Sequence, residues 1–252
     1  MSTKINEVKS VFETPQWYLE RRRYNINIRV ETVQYFLRGR GFNQILDIAC
    51  GDGSASIPLL NAQRQLTLLD LSSSMLSIAR TNVPPDLRDR VQVINQDFLS
   101  VDFKPQSFDL IICLGLLAHV DSPKDVIGRI AQLLRPDGVV IMESTDAGSF
   151  LNRLGVSYHR LLEAFGRVKY RYTLTTTEQV VQMFATSGLE LSAIYRYSLP
   201  PLPGIDRIFS QRALYNYVRF AYGSARNNYN TWLGKECIYL FKPSSSAATT
   251  KG

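Results

Sequence analysis

Two glycines and three aspartates have a spacing that suggests ligand chemistry. The stretch ILDIACGDGSAS at residues 45–56 is an apolar run with Asp47 near its end, followed by Gly51 and Gly53. Glycines in a turn between a strand and a helix let backbone N–H groups approach a ligand without a Cβ in the way. Asp70 follows Gly53 by 17 residues (70 − 53), and Asp97 comes after the next apolar run. This pattern predicts a small-molecule site.

The aspartates narrow the kind of ligand. A carboxylate at Asp70 can accept hydrogen bonds from ribose hydroxyls, which fits any adenosine cofactor. Asp97 can meet the amino group of adenine, with Phe98 beside the ring. Asp47 would repel a pyrophosphate but attract a ligand that carries an ammonium and a sulfonium. We therefore expect an adenosine cofactor with cationic groups rather than a dinucleotide.

The elements that would position these residues alternate between strand and helix. Apolar strand patterns lie at 44–49, 66–70, 91–95, 108–115, 139–144, 190–199 and 236–242. Helical patterns follow most of them, including one over 123–135 with Ser122 as N-cap and Pro123 in the first turn. Helical residues are also expected after the first strand, with Pro58 in the first turn. Repeated alternation predicts an α/β fold with parallel strands.

Composition sets the broad class. The chain has 252 residues with 45% hydrophobic content, which suits one α/β domain. No apolar stretch approaches the roughly 20 residues of a membrane span, and the N-terminus lacks a signal-peptide core, so we expect a cytoplasmic protein. Cys50, Cys113 and Cys237 are far apart and are expected to be buried free thiols. The net charge of +7 leaves nucleic acid or an acidic surface possible.

At this point the sequence resembles the class I S-adenosylmethionine-dependent methyltransferases of the small-molecule type. LDIACGDGS, LLDLSSSML, NQDF, FDLIICLGLLAHV and LLRPDGVVIM match the motifs of that family in order over about residues 43–143, and more loosely to 242. Ala49 stands where the family commonly has its first glycine. The resemblance implies a Rossmann-like seven-stranded sheet, six strands parallel and the last antiparallel, with helices on both faces and an added helical cap.

The resemblance also assigns the cofactor, S-adenosyl-L-methionine, whose product is S-adenosyl-L-homocysteine, to a set of residues. Met75 is equally compatible with a place beside adenine and with a plain core position. The backbones of Leu114 and Gly115 should face the amino group and the acceptor. The full set is Asp47, Ala49, Gly51, Gly53, Asp70, Leu71, Met75, Asp97, Phe98, Leu114 and Gly115.

Two histidines are candidates for catalysis. His119 follows the fourth strand, where an imidazole could deprotonate a hydroxyl or amine, although many family members carry a structural histidine there. His159 and its neighbour Tyr158 lie in the variable region where relatives build the substrate pocket. A solvated loop is the alternative for both of these residues.

The remaining segments are expected to cover the substrate. We expect one domain over 1–242, with an N-terminal lid (1–40), a cofactor-binding core (41–146), cap insertions (147–175 and 201–235) and a disordered tail (243–252). Tyr18 and Arg23 of the lid could reach the cofactor carboxylate or the substrate, and Tyr215 is a further substrate candidate. Solvated arginines and ordinary packing are the alternatives.

The predicted reaction is methyl transfer to an O or N atom of a small molecule, such as an intermediate of natural-product or glycolipid biosynthesis. Alternatives are an RNA or lipid-surface methyltransferase, a nicotinamide oxidoreductase and a non-catalytic binding module. Nucleic acid is disfavoured, because CLGLLAHV contains neither the Pro-Pro-Tyr nor the Pro-Cys sequence of the DNA-methylating enzymes. No metal-ligand spacing is visible, membrane-surface contact stays possible, and the sequence does not indicate an oligomeric state.

Overall fold

A computed structural model describes residues 15–150, 173–200 and 204–244, without the side chains of 16–18. The helices are α1 (Pro15–Arg21), α2 (Arg23–Phe36), α3 (Ser73–Asn82), α4 (Pro123–Leu133), α5 (Thr177–Thr186), α6 (Ile205–Ile208) and α7 (Gln211–Tyr222). The strands are β1 (Gln44–Ile48), β2 (Gln65–Leu69), β3 (Val91–Ile94), β4 (Phe108–Cys113), β5 (Leu134–Thr145), β6 (Leu189–Tyr197), β7 (Gly223–Ser224), β8 (Asn227–Asn228) and β9 (Glu236–Pro243).

Seven of the strands form one sheet in the order β3-β2-β1-β4-β5-β9-β6. The pairs from β3 to β5 are parallel, and β9 runs antiparallel to both β5 and β6. Six strands therefore share one direction and the last strand opposes them, which confirms the predicted fold class. The strand order reverses between β1 and β4, where open α/β sheets bind ligands outside the carboxyl ends of the strands.

Apolar side chains on both faces of the sheet explain why helices cover it on both sides. In β4, Leu110 and Ile112 belong to one buried cluster, whereas Ile111 and Cys113 belong to the other. Such alternation buries both faces of a strand, and so a parallel strand reads as a continuous apolar run. Residues of α2, α3 and α7 pack on the first face, and residues of α4 and α5 pack on the second.

Local sequence signals place α4 as predicted. The Ser122 hydroxyl accepts a hydrogen bond from the Asp125 N–H at 3.3 Å, and Pro123 occupies the first turn. An N-cap oxygen of this kind satisfies one of the backbone donors that a helix leaves open, typically stabilising it by about 1 kcal/mol. Val126, Ile127 and Ile130 are buried against the sheet. Helix α4 therefore covers one face of the sheet, in the same buried cluster as Ile111 and Cys113 of β4.

The prediction of helical residues after β1 is only partly right. A single 3₁₀ turn, Ile57–Leu59, replaces a regular helix between β1 and β2. Pro58 sits at the start of that turn, and the backbone is extended again at Leu60. Proline has no N–H to continue a helical ladder, and the remaining linker is too short for another start. The connection from β1 to β2 is consequently a compact loop.

The cap of α5 lies one residue later than its sequence suggests. Thr175 with Glu178 fits a capping box, but the structure has Thr176 with Gln179 in that role. The Gln179 amide oxygen accepts from the Thr176 N–H at 2.9 Å, and the Thr176 hydroxyl accepts from the Gln179 N–H at 3.3 Å. Thr175 instead forms a parallel bridge with Asp146, which explains the shift.

Two further expectations concern cysteines and membrane spans. Cys50, Cys113 and Cys237 are free and buried, as predicted. Burial raises the pKa of each thiol, which keeps the sulfur protonated and unreactive. None of the helices among the described residues has the length and apolar character needed to cross a bilayer.

Candidate active site

A cavity of about 220 Å³ opens at the carboxyl ends of the strands on both sides of the β1–β4 switch point. Every residue of the predicted cofactor set except Gly53 lines it. The topology explains this convergence, because these residues lie within a few positions of the ends of β1, β2, β3 and β4. The carboxyl ends of parallel strands meet at one edge of a sheet.

The turn after β1 has three residues in the left-handed region. Ala49, Gly51 and Gly53 have φ values of 56°, 55° and 73°. Glycine adopts this conformation freely, whereas Ala49 pays roughly 1–2 kcal/mol for its Cβ. Among the described residues, no atom lies within 4 Å of the position that a Cβ on Gly51 would occupy. Gly51 also lines the cavity, and its bare backbone leaves this space open to a ligand.

Gly53 packs inside this turn. It is buried and is not among the residues that line the cavity. A Cβ at this position would lie 2.4 Å from Cδ1 of Ile57, so the Ile57 side chain would have to move. The backbone N–H of Gly53 donates to Cys50 O at 3.0 Å, and glycine thus allows both the close packing and the left-handed backbone of the turn.

Asp70 ties the glycine turn to the start of α3. Its Oδ2 accepts from the Gly51 N–H at 2.9 Å, and its Oδ1 accepts from the Ser72 N–H at 2.8 Å. Burial raises the pKa of Asp70, although these N–H groups oppose the increase. Each carboxylate oxygen can accept more than one hydrogen bond. Asp70 can therefore hold the turn and still accept from a hydroxyl of a ligand in the cavity.

Asp47 is a second carboxyl group at the cavity, one residue before the end of β1. It is 2% exposed, and the Ser56 hydroxyl donates to its Oδ2 at 2.5 Å. Burial raises the pKa of Asp47 to about 7; the hydrogen bond from Ser56 opposes this increase, and the charges of Asp70 and Asp52 add to it. A cationic group in the cavity would offset the cost of charging this carboxyl group. The site therefore favours cations.

Apolar side chains form one part of the cavity wall, where a flat aromatic ring of a ligand could pack. Leu71, Met75, Phe98 and Val126 line the cavity, and Met75 and Phe98 are almost fully buried. The Asp97 carboxylate lies at the rim, where it caps a 3₁₀ turn by accepting from the Leu99 N–H at 3.4 Å.

Arg29 of α2 is a cavity residue that the sequence did not reveal. Its guanidinium forms a two-pronged ion pair with Glu143 at the end of β5, with Nε 3.0 Å from Oε1 and Nη2 in close contact with Oε2. The hydroxyl of Tyr197 donates to Oε1 of Glu143 at 3.2 Å. A Cβ on Gly115 would approach Nη2 of Arg29 to 3.0 Å. Gly115, with φ of 80°, thus makes room for the guanidinium.

His119 lines the cavity in the segment that follows β4. It ends the 3₁₀ turn Leu117–His119, and its backbone N–H donates to Leu116 O at 2.8 Å. Thr173 also holds this turn, since its N–H donates to Ala118 O at 2.9 Å and its hydroxyl donates to Val120 O at 2.6 Å. These bonds fix the backbone on both sides of His119 at the cavity.

The predicted substrate residues are less well placed. Arg23 is exposed at the start of α2 and does not line the cavity, whereas Arg29, almost two turns further along, does. The Tyr215 hydroxyl donates to Oε1 of Glu31 at 2.5 Å and joins α7 to α2 outside the cavity. Tyr18 lies on α1 with its side chain not described, and Tyr158 and His159 fall outside the described residues.

The expected cap over 201–235 also lies elsewhere. Within residues 204–235, Leu214, Val218 and Tyr222 of α7 pack into the core on the α2 face of the sheet. No residue of this part lines the cavity. Among the described residues, no group of three or more His, Cys, Asp or Glu side chains could hold a metal ion.

Comparison of the sequence with known proteins gives a consistent picture. Residues 45–138 match the family model of a methyltransferase domain. The chain is 30% identical over 180 residues to the ubiquinone biosynthesis O-methyltransferase of Idiomarina loihiensis, covering 70% of this chain and 74% of that protein. It is 27% identical over 198 residues to the protein of that name from Xanthomonas euvesicatoria pv. vesicatoria, covering 77% and 81%.

Solved structures share the fold. Magnesium protoporphyrin IX methyltransferase from Synechocystis PCC 6803, solved with S-adenosylhomocysteine bound, superimposes with a TM-score of 0.65 at 16% identity, covering 96% of this chain and 100% of that one. A possible histamine N-methyltransferase from Thermotoga maritima gives a TM-score of 0.63 at 18% identity, covering 94% and 99%.

Proposed function

Because the chain belongs to the S-adenosylmethionine-dependent methyltransferases, we propose that it transfers the methyl group to a hydroxyl oxygen of a small-molecule acceptor. The observation that carries the proposal is the charge pattern of the cavity. Four carboxyl groups line this space, and Asp47, at 2% exposure, is the most buried of them; the others are Asp52, Asp70 and Asp97. The Arg29 guanidinium lines the same cavity.

The donor groups of the cavity fit the cofactor part by part. We assign Asp70 to the ribose hydroxyls and the apolar side chains of Leu71, Met75 and Phe98 to adenine, because all of them line the cavity. Asp47 complements the ammonium and sulfonium charges. A pyrophosphate would meet Asp47 and Asp70 unfavourably, which argues against a nicotinamide dinucleotide.

Arg29 is the residue that we assign to the carboxylate of the cofactor. A guanidinium that is paired with a carboxylate through two of its N–H groups keeps a fixed orientation. Its remaining N–H groups can donate to a second carboxylate. Glu143 provides that hold from β5. This assignment replaces the earlier expectation for Arg23, whose side chain is exposed.

The cofactor supplies an activated methyl group, so the protein must orient the acceptor and exclude water. The lid helix α2 contributes Ile26 and Arg29 to the cavity and covers it on one side. We assign to His119, which lines the cavity, the role of taking the proton of an acceptor hydroxyl as the oxygen is methylated. A neutral amine would not need this base.

The acceptor class rests on the names of the relatives and on His119. The curated relatives at 27–30% identity are O-methyltransferases of ubiquinone biosynthesis. We propose by analogy a hydroxylated biosynthetic intermediate, for which natural products and glycolipids are the first candidates to screen.

The experiment is a screen of hydroxylated and amine acceptors for S-adenosylhomocysteine release, followed by His119→Gln with the best hydroxyl acceptor. We expect kcat to fall by about 10²–10⁴-fold with little change in cofactor affinity, since general-base catalysis contributes factors of that size. Full activity of His119→Gln, or turnover of amines alone, would contradict hydroxyl methylation assisted by His119.

A further inference from the structure

The outer face of α7 carries large apolar side chains that no other part of the described chain covers. Leu214, Val218 and Tyr222 point to the core, and positions on the opposite side of the helix are exposed. Phe220 is 83% exposed on that outer side. Ile208 is 75% exposed and Phe209 51% exposed just before the helix begins. Exposed apolar side chains at both ends of one helix make this surface a candidate interaction site.

These apolar residues lie at the two ends of the helix. The twelve residues of α7 span about 18 Å, with Ile208 and Phe209 before one end and Phe220 near the other. The Tyr229 hydroxyl donates to the Phe220 carbonyl oxygen, and Tyr229 is itself 41% exposed. We call Ile208, Phe209, Phe220 and Tyr229 the α7 face.

Basic side chains accompany the α7 face. Arg212 lies two turns before Phe220 at a spacing of eight residues, which places both on the outer side of the helix. Arg207 and Arg226 are exposed at the two ends. Asp206 is the one acidic residue within 204–235, against Arg207, Arg212, Arg219, Arg226 and Lys235. Arg219 is paired with Glu31, whereas Arg207, Arg212 and Arg226 are exposed, so the exposed charges of this part of the chain are mainly positive.

This face is connected to the cover of the cavity. The Tyr24 N–H of α2 donates to Oε1 of Gln211 at 3.2 Å, and Tyr215 and Arg219 of α7 contact Glu31 of α2 at 2.5 and 3.6 Å. Helix α2 in turn supplies Ile26 and Arg29 to the cavity. A surface that holds α7 would thus lie one helix away from the reaction site.

We propose that the α7 face docks on an anionic lipid bilayer. Apolar and aromatic side chains flanked by arginines are the pattern of elements that lie in the membrane interface, where apolar burial and attraction to anionic headgroups act together. A second copy of this chain fits less well, because its face would bring the same positive charges together. Nucleic acid fits less well because Ile208 has no π-face on which a base could stack. The proposal does not depend on the acceptor.

The test is co-sedimentation of the full chain with vesicles of phosphatidylcholine, alone or mixed with phosphatidylglycerol. We expect binding to the mixed vesicles only, weakened by salt. Phe220→Ser should lower the partition coefficient about tenfold, whereas Phe220→Leu, which keeps an apolar side chain, should bind nearly as well as the unmodified protein. Far-UV circular dichroism and melting temperature verify that each variant is folded.

The contribution of the arginines to vesicle binding is tested with two matched double variants. Arg207→Gln with Arg212→Gln should weaken binding about 25-fold, at about fivefold for each arginine near an anionic surface. Arg80→Gln with Arg88→Gln removes two exposed arginines of α3 and of the 3₁₀ turn before β3, and should bind unchanged. An equal loss of vesicle binding in both double variants would show that only the net charge of the protein matters, and it would overturn the proposal.

Three other results would overturn it as well. Equal binding to neutral and anionic vesicles, or no binding at all, would contradict an anionic bilayer as the partner. Concentration-dependent dimerisation in analytical ultracentrifugation that Phe220→Ser abolishes would assign the α7 face to a second copy of the chain. Binding of single-stranded RNA that is lost in the Arg207→Gln with Arg212→Gln variant would assign it to nucleic acid.

Discussion

Arg29 and Glu143 form a two-pronged ion pair across 114 residues of sequence, which joins helix α2 to strand β5 near its carboxyl end. Both side chains are largely buried, at 15% and 3% exposure. Tyr197 donates to the same carboxylate at 3.2 Å. The pair therefore combines two tasks, since it fixes α2 over the cavity and presents the guanidinium at the cavity wall.

Breaking this pair should cost stability. Removing one partner of a buried ion pair leaves the other charge uncompensated, and Glu143→Gln should destabilise the fold by about 3 kcal/mol. The melting temperature should fall by about 5 °C or more. The matched control is Glu190→Gln, whose partner Lys242 lies 3.2 Å away in a pair that is 40–46% exposed, and it should change stability by less than about 1 kcal/mol. Similar melting temperatures for the two variants would show that the buried Arg29–Glu143 pair does not stabilise the fold more than an exposed pair does.

Substitutions of Gly51 and Gly53 should affect cofactor binding and fold stability to different extents. Gly53→Ala forces a Cβ against Ile57 at 2.4 Å and strains a φ of 73°, so we expect about 2 kcal/mol of destabilisation. Gly51→Ala meets no described atom within 4 Å and adds a methyl group in the cavity. It should destabilise by about 1 kcal/mol but weaken S-adenosylmethionine binding more than Gly53→Ala does. Thermal melts and titration calorimetry of both variants measure this, and the reverse ranking would refute it.

Asp47→Asn should raise stability in a pH-dependent way. The pKa of Asp47 rises from 3.8 to about 7 on folding, so between these values the folded state holds a proton that the unfolded state has released. The native protein therefore loses stability as pH rises through this window, and the asparagine variant does not. The advantage of Asp47→Asn should grow by about 1.4 kcal/mol per pH unit from pH 4 to 7 and level off above it.

The measurement for Asp47 is the melting temperature against pH, beside cofactor affinity at pH 8. Affinity should fall at least about tenfold, because the ionised carboxylate complements a cationic ligand. An exposed acid, Asp86→Asn, serves as the control. A constant stability difference across the pH range would show that Asp47 is ionised throughout.

The cofactor set was predictable because its geometry is local. Asp47, Gly51 and Asp70 lie within a few residues of strand ends, and parallel strands bring those ends together without further information. The strands themselves were recognisable as apolar runs because both faces of the sheet are covered. The departures inside this region, such as the 3₁₀ turn at Pro58, changed the connections and left the strand ends in place.

Arg29 could not be selected in the same way. The sequence offers Arg21, Arg22, Arg23 and Arg29 near the start of one helix, and the choice between them depends on how α2 packs against β9 and reaches Glu143 of β5. Its partner Glu143 looks like an ordinary strand residue until the sheet is assembled. The 201–235 segment was misplaced for a related reason, since aromatic residues at helical spacing predict packing but not which surface is packed.

The most direct test is calorimetric titration with S-adenosylmethionine, S-adenosylhomocysteine and NADH, on the unmodified chain and on Asp70→Ala. We expect micromolar binding of the first two ligands, no binding of NADH, and at least about a tenfold loss of affinity in Asp70→Ala through the missing ribose acceptor. Binding of NADH would contradict the charge pattern assigned to Asp47 and Asp70. Undiminished S-adenosylmethionine binding by Asp70→Ala would show that the cofactor does not occupy the cavity as described.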